Sequence, residues 1–536
     1  MLPTLQWYIF REMGKTFLLT AVGLTVVIGL GGGAMNLLDI ERVTPSQLLR
    51  LMLLVLPVAG TLTIPIAALY SATVTYGRLS ADNEFLACRA SGINVLRLFF
   101  PTAIISLFSA ACTFYFTCFM IPGLIRDLNT FARTGIRQFV QQQVSSPQRL
   151  ALPGGRYRIY ADGADRSEDG EAVVLRGFAF VKHGPQSWDA VGTGGGIVIR
   201  FESDERDDAP LLSADLYDVT YYDWRDGRWL QAEHQQARPN RIPMRIRQRV
   251  KWLNLAELFR LRGEPENWPR VRSVLNKLRG EIAKGRYCAS VQEQFDRQGS
   301  LKLVTADGTI QLQAQTCYRD TVREDAVKFE HLSVTDERHS IARSVTGEQA
   351  HLWVESDDDG RLTQAILEIT GEVAVREQGL GTQPMRKARE RFGDIAVPED
   401  LRASMAEVPH DELLHLPPEP NWLSTIFDLR AEATEEQAGF VREVTSELHS
   451  RLAFSVSAFV LVLLGATLGT MLRGSQIMSA FGISFVPALL VTVMNIMGRQ
   501  LAEKAGLSTV GIAVIWGTIG LVGMIDIWTL RRVIRR

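Results

Sequence analysis

The sequence predicts a membrane α-helical protein, six transmembrane helices arranged three plus three, with a large β-jellyroll-like domain inserted between the third and fourth. Three observations carry this reading. Apolar residues crowd the two ends of the 536-residue chain, its middle from about residue 126 to 448 is polar and charged, and that middle alternates with period two between turn signals. Whole-chain averages conceal the contrast, because 46% hydrophobic and 22% charged residues are ordinary for a soluble protein. The formal net charge of −1, with no basic stripe in the middle, argues against nucleic acid as a partner.

Residues 16–38, 48–75, 95–124, 451–472, 477–497 and 509–530 are apolar over lengths near the ~20 residues that a helical span needs. The first is no cleavable signal, since it lacks a small-residue cleavage site and another span follows at once. Arg11, Lys15, Arg78, Arg89, Arg97, Arg473 and the terminal Arg531, Arg532, Arg535 and Arg536 all fall on one side if both termini are cytoplasmic. The opposing loops are mixed in sign (Asp39, Glu41, Arg42; Arg499, Glu503, Lys504), so the insert is expected outside the cytoplasm. Trp7, Tyr8 and Phe10 fit an interfacial aromatic anchor. The organisation is then residues 1–125 for three spans, 126–410 for the β domain, 411–446 for a helical connector and 447–536 for three spans.

Within the insert, β-rich runs occupy residues 156–161, 172–181, 196–203, 214–224, 228–234, 309–318, 349–356 and 361–375. Asp226-Gly227, Asp307-Gly308 and Asp359-Gly360 supply the positive φ that tight hairpins demand. Such a pattern favours a sandwich, a jelly roll or a related open barrel. Residues 253–300 interrupt it with a heavily charged helical pattern, read as an inserted helical hairpin or lid. Pro417, Pro418 and Pro420 stiffen the connector back to the membrane.

The chemistry is mostly negative: there is no P-loop, no H-E-x-x-H and no C-x-x-C, so no catalytic residue, metal ligand or cofactor site is assigned. Glu447 with His449, and Glu407 with His410, read as solvated helix faces. Asp526 is the one strong candidate for a charge within a span, with Arg531 and Arg532 one turn on to screen it. Cys288 and Cys317 are the two cysteines of the insert, either a disulfide in an oxidising compartment or two unpaired thiols. Gly29 and Gly33 in the first span suit a seam that opens against a partner, whereas Gly465 and Gly469 in the fourth read as ordinary intrachain packing. Pro57, Pro65 and Pro487 would kink or loosen their helices.

The stretch YGRLSADNEFLACRASGIN, residues 76–94, is a charged wedge between two spans. Ser80 can cap a helix and Gly92 can end it in the left-handed conformation, so residues 81–91 are expected to form a short helix of about three turns. Leu79, Leu86, Ala90 and Ile93 fall near one face while Asp82, Glu84 and Arg89 project elsewhere, an arrangement suited to a groove on another protein. A solvated connecting loop is the competing reading.

This stretch resembles the signature of the LptF/LptG (YjgP/YjgQ) permease family, with its Gly-Arg-Leu start, acidic residue and closing Ala-x-Gly. LQWYIFREMGKTFLLT, VLPVAGTLTIPIAALY, ELHSRLAFSVSAFVLVLLGATLG and GRQLAEKAGLSTVGIAVIW extend the similarity through all the membrane segments in order. The resemblance implies a transmembrane subunit of a lipopolysaccharide-export ABC transporter in a bacterial inner membrane. It implies a cytoplasmic ABC ATPase dimer that holds the ATP and Mg, a second LptF/LptG-type permease, a periplasmic jellyroll bridge protein, and lipopolysaccharide or a related glycolipid as cargo. Arg78, Leu79, Asp82, Glu84, Leu86, Arg89 and Gly92 would then couple to the ATPase, with Glu84 at the family's acidic position. Gly29, Gly33, Arg42 and Pro487 become candidates for the lipid gate between spans one and five. The insert is longer than the family's single jellyroll, and Trp516-Gly517-Thr518 stands where many members have Trp-x-Pro-Asn. Two other functions fit the residues alone: a mechanotransmission ABC permease that moves no lipid, and a membrane-anchored glycan-binding or adhesion protein.

Overall fold

The computed structural model describes residues 2–37, 45–126, 150–151, 157–166, 172–183, 188–203, 210–223, 228–241, 249–305, 307–320, 322–338, 343–357, 359–377, 384–406, 408–420, 422–471 and 477–535. Arg42, Arg473 and the Asp226-Gly227 pair lie outside them. Among the described residues, six helices are long and apolar enough to cross a bilayer, and a β-rich region lies between the third and fourth. The chain divides into two compact units, one of residues 1–254, 455–485 and 525–536, the other of residues 255–454 and 486–524.

The first unit holds α1 (Leu2–Leu37), α2 (Pro45–Ala81), α3 (Glu84–Ala90), α4 (Val95–Leu98) and α5 (Phe100–Tyr115). α5 continues through a π turn at Phe116–Met120 as a span reaching Arg126. Pro57 and Pro65 both lie inside α2, which stays helical through them. Because these helices are apolar all round, hydroxyls and small residues do the specific packing. Thr25 and Thr63 pair at 2.6 Å between α1 and α2, and the buried Tyr76 hydroxyl donates to the Leu98 carbonyl at 2.5 Å while accepting from Thr102. A methyl group at Gly465 would sit 2.7 Å from Leu69 Cδ1, and one at Gly469 would sit 2.6 Å from the Thr73 carbonyl. Both glycines therefore serve an intrachain contact with α2, as the sequence suggested.

The first unit also contains a six-stranded antiparallel meander, β1 (Leu150–Ala151), β2 (Tyr157–Arg166), β3 (Ala172–His183), β4 (Trp188–Ser203), β5 (Pro210–Asp223) and β6 (Arg228–Arg241), each strand paired with the next. Phe178 and Phe180 pair with Gly194 and Gly192 across β3 and β4, and a Cβ at either glycine would come within 2.4 Å of the facing ring. Only glycine leaves room for those rings, which explains the glycine run in an otherwise β-branched strand.

The second unit is built on α6 (Leu255–Gly263), α7 (Pro269–Gln298) and strands β7 (Ser300–Thr305), β8 (Gly308–Gln313), β9 (Thr316–Arg319), β10 (Ala326–Asp336), β11 (Arg343–Ser356), β12 (Leu362–Glu377) and β13 (Met385–Ala396). The strand order β11-β12-β13-β7-β8-β10, with β10 also pairing β11, closes the sheet on itself, and β9 adds to β10. Closure leaves few free edges. The charged helical pattern is not a lid. α7 buries Leu278, Ile282, Val291 and Phe295 in the same core as Leu312, Phe329, Leu352 and Leu367 of the strands. The turn after β11 confirms the tight fit, since a Cβ at Gly360 (φ +73°) would lie 2.1 Å from the Asn276 carbonyl of α7. Beyond the ring come α8 (Glu399–Ala406) and α9 (His410–Leu413), then the 48-residue α10 (Ser424–Met471), α11 (Ile477–Ala502) and α12 (Ser508–Arg535).

Candidate functional site

The wedge between the second and third spans is a short helix on an anchored seat. α2 does not stop at the expected end of the second span, Thr75, but runs through Arg78 and Leu79 to Ala81, so the chain turns later than expected. Ser80 is not the helix cap; its hydroxyl donates to the Thr470 carbonyl at 3.0 Å and ties the end of α2 to the end of α10. The turn is made by Asn83, held at φ 59°, a left-handed conformation that asparagine tolerates. α3 therefore spans seven residues and about two turns. Its end follows the sequence: Gly92 takes φ +75°, its N–H bonds to the Arg89 carbonyl and the Ile93 N–H to the Cys88 carbonyl.

Phe85, which the periodicity did not single out, is the buried anchor of α3. It packs with Leu79, Val95, Leu98 and Phe99, meeting Phe99 edge-on at 6.3 Å, while Phe99 stacks on Tyr76 at 5.0 Å. The same cluster contains Ile9 and Met13 of α1, Val462 and Ala466 of α10, and Val533 of α12, so α3 rests on all the helices gathered there. Leu79 and Leu86, grouped near one face by the sequence, part company: Leu79 is buried and Leu86 is 50% exposed.

The charges divide by role. Arg78 pairs with Glu12 of α1 at 2.8 Å, and Arg89 donates to the Val533 carbonyl of α12 at 3.4 Å. Both arginines thus brace the seat from within the chain. Asp82 and Glu84 are exposed beside Leu86, which leaves an acidic and apolar edge facing outward. Burial, and then the Glu84 charge, push the Cys88 thiol up from its ordinary range, so it stays neutral at physiological pH.

The model of the lipopolysaccharide export system permease LptF/LptG family matches residues 7–184 and 300–532. The chain belongs to this family. No curated protein matches it. Within the LptF/LptG match lie α1 to α5, the first three strands, the closed ring and the helices after it. The span of residues 185–299 between the two matched segments carries β4 to β6, α6 and all of α7. Membership makes this a transporter permease and a multi-pass inner-membrane protein.

The other residues singled out in the sequence fall in separate places. Gly29 faces Leu56 of α2, where a Cβ would lie 3.2 Å from its Cδ2, so this glycine already serves an intrachain contact. Gly33 belongs to α1 and Pro487 to α11. Cys288 and Cys317 are free thiols, Cys288 Sγ donating to the Asp325 carbonyl at 3.5 Å. Burial raises Cys288 to about 11 and Cys317 to about 12, which makes both poor nucleophiles.

Two LptF/LptG motif stretches meet in a polar cluster that sequence reasoning missed. Glu447 is not on a solvated face: it is buried, with Arg451 at 2.8 Å and Arg499 of α11 at 2.9 Å. Beside it Ser450 donates to Asn495 at 2.5 Å, and Trp516 Nε1 donates to His449 Nδ1 at 3.2 Å. A close approach of Gly498 to Gly511, where a Cβ on Gly511 would lie 2.5 Å from the Gly498 carbonyl, holds α11 against α12 nearby. Asp526 is also partnered differently from expectation, accepting from Thr467 of α10 at 3.2 Å, while Arg532 lies over Trp528.

Proposed function

We propose that this chain is the permease subunit through which a cytoplasmic ABC ATPase drives extraction of lipopolysaccharide, or a related glycolipid, from the inner membrane. In this reading both termini are cytoplasmic, the β-rich region is periplasmic, and the cargo passes to a periplasmic bridge protein. The observation that carries it is the division of labour in α3: Phe85 and Arg89 fix the helix to this chain, while Asp82, Glu84 and Leu86 stay free on its outer edge.

An exposed acidic and apolar edge on a short anchored helix suits a basic groove on the ATPase, where charge complementarity sets register and speeds encounter. Any displacement of α3 would pass into α1, α2, α5, α10 and α12 through the aromatic stack and the Ser80–Thr470 bond. α1 carries exposed Leu18, Leu19, Val22 and Val27, an apolar face for lipid or for a second LptF/LptG-type permease. Gly33, Arg42 and Pro487 remain the gate residues of this proposal.

Native mass spectrometry of the gently solubilised protein from its own host tests the reading. A co-purifying ATPase dimer, a second permease and bound glycolipid support it. An ATPase without any lipid favours a mechanotransmission permease, and a chain reproducibly free of ATPase overturns the proposal in favour of an anchored binding protein.

A further inference from the structure

The ring β7–β13 is closed, yet its apolar side is not vacant. α7 shares one buried core with all six strands of the ring: Leu278, Ile282 and Phe295 are at most 7% exposed, and Phe295 meets Phe329 of β10 edge-on at 5.7 Å. Met405, Leu413 and Ile426, from the segments after β13, join the same core. The face turned away carries charged pairs, such as Glu368 with Arg389 and Asp320 with His351. An acyl chain needs apolar surface, and here the chain itself has covered it.

α7 is also fastened to the amino-terminal half of α10. Trp268, just before α7, stacks on Phe440 at 4.8 Å, Arg270 pairs with Glu436 at 2.7 Å, and Arg286 grips Glu419 with two nitrogens at 2.5 and 3.3 Å. Glu419 belongs to the proline-rich joint that leads into α10. Three contacts between residues 268 and 286 hold the first part of α7 to α10 and to the joint that precedes it.

We propose that α7, which lies wholly between the two segments matched to the family, is a permanent strut: it fills the ring in place of lipid and locks it to the amino-terminal half of α10. Ring, strut and that half-helix then move as one body, and the cargo passes outside the ring. The proposal rests on the export reading only in naming the cargo.

The test uses the full chain with Arg270→Cys and Glu436→Cys, an exposed pair, bridged by a short bis-maleimide, with treated wild-type chain as control. With the partner ATPase in proteoliposomes, bridged and unbridged variants should export glycolipid at rates within about twofold of each other. A loss of about tenfold or more on bridging (~1.4 kcal/mol in barrier terms) would show that the two must separate, and would overturn the strut. If neither wild type nor variant exports any lipid, the export reading fails by itself, and hydrogen exchange decides the strut. Amides of residues 278–295 should then exchange as slowly as those of β11 and β12; exchange about a hundredfold faster would sink it.

Discussion

Phe85 meets Phe99 edge to face, with ring centroids 6.3 Å apart, and this contact fixes a seven-residue helix that is too short to hold itself. Truncation of a buried phenylalanine costs about 3–5 kcal/mol in a well-packed core. Phe85→Ala is therefore expected to free α3 while the long spans stay folded. Hydrogen exchange over residues 82–94 should rise sharply, ATPase co-purification should fall, and Phe85→Leu should keep most of both. Unchanged exchange in the alanine variant would show that α3 is held by something else.

The outward edge of α3 makes the opposite demand. Glu84 is exposed and contributes nothing to the core, so Glu84→Arg should leave membrane insertion and thermal stability unaltered. Against a basic groove the reversal creates a like-charge contact, and ATPase affinity should drop by about tenfold or more. The measurement is ATPase recovery on the immobilised permease at two salt concentrations. Wild-type recovery at low salt, where such repulsion is least screened, would remove Glu84 from the interface.

His410 gives the second unit a pH dependence of definite sign. Its Nε2 pairs with Asn276 Oδ1 of α7 at 2.8 Å, and burial, then the Arg279 and Arg272 charges, lower its pKa from 6.5 to about 4 against the pull of Asp359 and Asp411. A folded-state pKa below the unfolded value means that the unfolded chain binds the proton more readily. The stabilising share of neutral His410 is complete above pH 6.5 and is lost as pH falls through about 4. His410→Gln should flatten the decline of unfolding midpoint between those pH values. Parallel curves for the two proteins would show that His410 does not titrate this way.

The parts legible in the sequence are those with local causes. Six spans follow from apolar length, and Gly92 ends α3 because only its neighbours matter. Three features were illegible because their partners are remote. The ring closes where Thr305 pairs with Ile395, a contact that no window of residues contains. α7 shows a stripe at 271, 274, 278, 282 and 291, but the charges on its other face outweigh it in any average, so a core helix reads as a solvated one. Phe85 stands alone between Glu84 and Leu86 in a helix of two turns, where hydrophobic period has no room to appear.

Glu447 shows the same limit and yields the sharpest stability test. Read locally, a glutamate two residues before a histidine on a polar helix is a solvated face. Its second partner, Arg499, is 52 residues away, and only the meeting of α10 with α11 turns the pair into a buried triad. A carboxylate held between two guanidinium groups is costly to disrupt, because removing it strands positive charge out of water. Arg451 is 5% exposed and bears most of this effect; Arg499, at 32%, can still reach solvent. Glu447→Gln should therefore lower stability by about 3–5 kcal/mol, and Arg451→Met in that background should restore part of the loss. Denaturant titration of both variants in detergent checks this. If the second change made matters worse by its full single-variant cost, the two residues would be energetically independent, and the triad would be mere proximity.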